Sequence, residues 1–209
     1  AWPPAHMQHL PADYLARLHA TLAAGAVRLD AMEVATSKPT DSITWARFGI
    51  DALVLGGHVE KVNRFFESDT FTWGSHKKFG FSLFSTEFLR FYALFNSRTG
   101  SMPGLLSSRA EENIEEQMWR VAKANSKLAE AKRGPWDMEA SENHHLTNKS
   151  GDLLAAQFLR NIPSYKDQRY DDGSTLAEQY EIRRRHFLAW YDEHAKRGQF
   201  VEAASPTYQ

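Results

Sequence analysis

Glu142, Asn143, His144 and His145 stand in a row just before an apolar helical pattern that runs through Leu153, Leu154, Ala156 and Phe158. Each of these four side chains can hold, move or polarise a proton. A helix start leaves backbone N–H groups without intrahelical partners. The run therefore has two readings. As a cap, Asn143 accepts a bond from a free N–H and Glu142 suits the positive end of the dipole. As a site, the same helix end favours an anion and disfavours an imidazolium. His144 is then neutral and able to take a proton, and Asn143 can stabilise charge developing on a carboxylate or carbonyl. Asn plus neutral His is a sensible pair for removing a proton alpha to a carboxylate.

Other residues carry further options. Glu142, His144 and His145 with His58, His76 or His186 are candidate metal ligands, but adjacent side chains rarely share one ion and the HExxH spacing is absent. After the last predicted helix, "QFVEAASPTYQ" reads first as an irregular tail with Phe200 tucked into the core, and alternatively as a site in which Glu202, Ser205 and Tyr208 cluster. A tyrosine is a competent proton donor, and in a basic setting a base. The pair Glu142 and Glu202 also suits glycoside hydrolysis, where two carboxyl groups flank the scissile bond. Arg183, Arg184 and Arg185 of "RRRH" point in three directions about 100° apart on a helix, so the favoured reading is a solvated face, and the alternative is that one of them turns inward to bind an acidic ligand. Trp73 to Phe79, with His76, Lys77 and Lys78, reads as a lid or as an anchored surface loop. No Walker A loop, strand-linked G-x-G-x-x-G or G-x-S-x-G elbow is present.

These residues sit in 209 residues of ordinary globular composition, 42% hydrophobic and 24% charged. A net charge of -1 provides no field for nucleic acid. The absence of cysteine excludes disulfides, thiolate zinc sites and a cysteine nucleophile. No apolar run is long enough to span a membrane. The chain begins at Ala1 without a signal-peptide pattern, which fits a processed or trimmed chain, a lost leader being one option; a secreted or periplasmic location is the favoured expectation.

The elements that must position the candidates are helical. Apolar spacings of three and four predict a first helix from Pro11 to Ala24, and a second, capped by Asp41 or Ser42, that meets Gly56-Gly57, a pair that is either a break or a kink. A short helical piece follows over 58–68, and then a glycine-punctuated loop over 67–83. A fourth helix runs from Ser85 or Thr86 to Gly100. Ser108-x-x-Glu111 reads as a capping box for a helix reaching Lys132, and Thr175-x-x-Glu178 as another for a helix reaching Lys196. Between these two helices lies the one that follows the Glu-Asn-His run and is closed by Pro163. The expectation is one all-α domain of antiparallel hairpins, a bundle or an arc of a larger ring.

Trp136, Ser141-Glu142-Asn143-His144 and Leu153-Leu154-Ala155, followed by Trp190, "RGQFVE" and "SPTY", together resemble a group of bacterial (α/α)-toroid proteins. The order is similar to that of alginate-lyase-like polysaccharide lyases. The resemblance covers roughly residues 136 to 208. It implies a toroid of helical hairpins and β-elimination on an acidic polysaccharide or oligosaccharide. Asn143 would neutralise the uronate carboxylate, and His144 and Tyr208 would serve as base and acid. Glu142 or Glu202 would orient the histidine. The lyases carry an arginine shortly before the tyrosine, whereas between Arg197 and Tyr208 this chain has none. The resemblance also implies more hairpins than this chain supplies, to be completed by a missing segment or a partner chain. No cofactor and no metal are expected. The competing expectation is a non-catalytic helical module in which the run is a cap that also meets a partner.

Overall fold

A computed structural model describes residues 2–72, 85–125 and 142–197. Among these residues the protein is all-α. It has seven α-helices, no strand, and one isolated bridge between Arg169 and Thr175. None of the helices is long and apolar enough to cross a membrane. The described chain falls into two compact units.

The first unit holds α1 (Ala12–Asp30), α2 (Ser42–Val54), α3 (Val59–Glu67), most of α4 (Ser85–Phe95) and the first part of α5 (Ser108–Ala124). Its core is aromatic. Trp45 stacks on Phe65 with ring centres 4.5 Å apart, and Phe66 meets Phe91 at 4.6 Å. All four rings are buried, and such pairs add to the gain from area alone. Helix α1 continues to Asp30, past the expected end at Ala24, because Gly25 is a contact residue and not a stop. A Cβ placed there would lie 1.8 Å from Asp51 Oδ2 of α2. The missing side chain is what lets the two helices approach.

Gly56-Gly57 is a true break. Gly56 has φ +78°, its N–H donates to Leu53 O, and the Gly57 N–H donates to Ala52 O, both at 2.9 Å. This is the paired bonding of a Schellman cap, which requires the left-handed residue that glycine adopts without strain. Helix α4 stops at Phe95, before the expected Gly100, because Asn96 Oδ1 accepts from the N–H groups of Arg98 and Thr99 and turns the chain. The expected box at Ser108 and Glu111 is shifted. Ser107 is the residue that caps α5, its Oγ accepting from the Ala110 N–H at 3.1 Å. Glu111 is instead drawn away to Ser97 and Arg98.

The second unit holds the end of α5, then α6 (Glu142–Leu159) and α7 (Leu176–Arg197). Helices α6 and α7 pair along their lengths, as α1 and α2 do in the first unit. Ala155, Ala156, Leu159, Leu176 and Trp190 are buried. The second capping box is formed as expected. Thr175 N–H donates to Glu178 Oε2 at 2.7 Å, and the Glu178 N–H donates to Thr175 Oγ1 at 3.2 Å. Gly134-Pro135 and the residue 73–83 loop lie outside the described residues.

Candidate functional site

Helix α6 begins at Glu142, so the Glu-Asn-His run forms its first turn instead of preceding it. Asn143 therefore lies inside the helix and is not its cap. The side chains of Glu142, Asn143 and His144, and all of Glu202 and Tyr208, lie outside the described residues, as do His76 and the rest of the 73–79 loop. His145, the fourth member of the run, is described, and it is buried at 2% exposure.

His145 opens a polar stripe along α6. Lys149 and Asp152 follow at four and seven residues, which puts all three on one helix face. On α7, Gln179, Arg183, His186, Trp190 and His194 repeat at threes and fours and are all buried. His145 Nε2 lies 3.5 Å from His186 Nε2. One imidazole must donate and the other accept, so at most one of these two nitrogens carries a proton. His194 stacks on Trp190 at 3.7 Å between ring centres, and its Nδ1 bonds the Trp190 carbonyl at 2.8 Å. Burial above all, and then the charges of Lys149, His186 and His194, lower the His145 pKa from 6.5 to about 4. His145 is thus a neutral imidazole at pH 7.

Further along the stripe the network is ionic. Arg183 Nη1 donates to Asp152 Oδ2 at 2.5 Å, its Nε to Gln179 Oε1 at 2.7 Å, and its Nη2 to the Asn125 carbonyl at 2.7 Å. Asn125 Nδ2 donates to the other Asp152 oxygen, Oδ1. Gln179 Nε2 in turn donates to Ser174 Oγ at 2.8 Å. Burial pushes the Asp152 carboxyl above the usual range, against the pull of Arg183, Lys149 and Asn125. Of the three successive arginines, Arg183 is the one that turns inward, and its acid is Asp152 of the same chain. Arg184 and Arg185 are exposed. The stripe was readable as spacing in the sequence. The signal overlooked was that His145, Lys149 and Asp152 share a face, as do Gln179, Arg183 and His186.

The first unit has its own buried polar cluster. Tyr92 Oη donates to Glu115 Oε1 at 2.7 Å, and Arg98 bonds the same carboxylate. Burial, then the bond to Glu115, raises the Tyr92 phenol well above its usual pKa. The group is fully engaged and serves to tie α4 to α5.

Among the described residues no group of three or more His, Asp or Glu side chains is arranged to hold a metal ion. His58, in the first unit, lies 3.8 Å from Asp30. No protein-family model, curated protein or solved structure matches the chain.

Proposed function

We propose that the chain is an arc of an (α/α) toroid that binds an acidic polysaccharide and cleaves it by β-elimination. One observation carries the reading. Glu142, Asn143 and His144 are the first three residues of α6, where N–H groups have no intrahelical acceptor and an anion is stabilised. That environment suits a uronate carboxylate held by Asn143 and keeps a base at His144 neutral. In the reaction, His144 takes the proton alpha to the carboxylate. The electron pair becomes the new C=C bond, and the beta C–O bond breaks. The departing oxygen receives a proton from Tyr208. In the variant of this scheme with one proton carrier, Tyr208 is both base and acid. Glu142 or Glu202 orients the histidine. No cofactor takes part.

The test is ultraviolet absorbance of the unsaturated product during incubation with alginate, glucuronan and glycosaminoglycans. Absorbance should rise with at least one of them. Asn143→Ala and His144→Ala should each lower the rate by about a hundredfold or more, in line with the loss of one stabilising donor or one general base. No rise with any of the substrates would sink the proposal. Reducing sugar released without an unsaturated end, and lost in Glu142→Gln, would replace it with hydrolysis.

A further inference from the structure

A second candidate lies wholly in the first unit, in a cavity of about 400 Å³ between α2 and α4. Arg47, Ile50 and Asp51 line it from α2, and Glu87, Arg90, Ala93 and Leu94 from α4. The spacings of three and four put each set on one helix face. The volume is within the usual range for small-molecule sites.

The polar lining is balanced in charge and short of hydrogen bonds. Arg47 lies 3.5 Å and Arg90 3.7 Å from the same oxygen of Glu87, Oε1. These are charge contacts at distances beyond ordinary bonds, so guanidinium N–H groups and the second Glu87 oxygen are left for another partner. Among the described residues no hydrogen-bond donor reaches the Asp51 carboxyl, which lies close against Gly25 and lines the cavity. Burial, then the charge of Glu87, raises Asp51 to about 6 with Arg47 opposing. Two carboxyl groups and two guanidinium groups sum to no net charge. An organic cation would meet the arginines, and an anion the carboxylates. A ligand that is neutral and offers both donors and acceptors satisfies both sets. Ile50, Ala93 and Leu94 supply an apolar floor.

We propose that this cavity is a binding site for a neutral sugar residue. Its hydroxyl groups donate to Asp51 and Glu87 and accept from Arg47 and Arg90, and a C–H face of the ring rests on Ile50 and Leu94. This site shares no residue with the proposed elimination chemistry and does not depend on it.

The experiment is methyl NMR on the full chain labelled at Ile, Leu and Ala. The probes are the methyl glycosides of glucose, mannose and galactose at millimolar concentration, with ethylammonium and acetate as charged controls. At least one glycoside should give saturable shifts of the Ile50, Ala93 and Leu94 methyls that neither control reproduces. Asp51→Asn and Arg90→Ala should each weaken that binding by about tenfold. Arg90 is 69% exposed in its side chain, so its removal leaves the fold intact and keeps the test valid if Asp51→Asn unfolds. Absence of saturable shifts with every glycoside overturns the proposal, as does unchanged affinity in Arg90→Ala. Equal shifts from ethylammonium or acetate would show a site for charge and not for sugar. Elimination activity is read separately, so either proposal can fail without the other.

Discussion

Acidification should unfold the second unit through His145, and the size of the effect follows from its burial. In the folded chain His145 titrates at about 4, against 6.5 when unfolded. Between those values the unfolded chain binds a proton that the folded chain refuses. Stability from this residue is therefore complete above pH 6.5 and is lost as pH falls toward 4. Each pH unit is worth about 1.4 kcal/mol, so the full loss is about 3 kcal/mol, of which about 2 kcal/mol falls between pH 7 and pH 5. Other groups titrate in the same range. Asp51, raised to about 6, works in the opposite direction, since the folded chain takes up its proton first on acidification. The informative quantity is thus a difference between wild type and His145→Gln, a variant that keeps a polar side chain facing His186 and cannot acquire charge. Urea unfolding should be followed at pH 7, 6, 5 and 4.5. The stability gap should shift against wild type by about 2 kcal/mol by pH 5. In parallel, the His145 imidazole should show no NMR titration near 6.5. A gap constant to within about 0.5 kcal/mol, or an imidazole that titrates at its ordinary value, would refute the assignment of His145 as a buried neutral base.

Two further outcomes test the packing. Gly25→Ala should cost about 1–3 kcal/mol in thermal or urea unfolding, because the new methyl meets Asp51. Asp51→Ala in the same chain should recover most of this loss but not all, since the Asp51 Cβ itself lies 2.8 Å from the added atom. Arg183→Met should cost about 3–5 kcal/mol by leaving Asp152 buried without its cation. Adding Asp152→Leu should return more than about 1 kcal/mol, a coupling that urea unfolding of the four variants of the cycle would measure.

The parts of this molecule that were legible in the sequence are those set by neighbours a turn away. Helical periodicity marked all seven described helices, and the Thr175–Glu178 box closes within four residues. The misreadings share a cause. Glu111 has the spacing of a capping residue, but Arg98 and Ser97, far back along the chain, claim its carboxylate. The first helix was expected to end at Ala24, but it runs on through Gly25, which packs against Asp51 of α2. The three successive arginines read as a solvated face, yet Arg183 turns inward to Asp152, and that choice depends on how α6 and α7 meet. No local pattern encodes that meeting. The first turn of α6 is a different case. Its residue types raised the choice between a cap and a site, and the fold puts them within the first turn of the helix, not before it.

The bonds of Arg183 to Asp152 and to the Asn125 carbonyl also fix an alignment. The buried apolar residues of α6 and α7, Ala155, Ala156, Leu159 and Leu176, have no directional bonds to resist a slide of one helix by a turn, about 5.4 Å. Arg183 has such bonds. If α7 slid, its guanidinium would miss Asp152 and the Asn125 carbonyl together, and if α6 slid it would miss Asp152, leaving buried polar groups unpaired. The arginine works as a vernier: it singles out one setting from several that the greasy surfaces alone would accept. In that setting His145 meets His186, and the turn that begins at Glu142 is held at one height relative to α7.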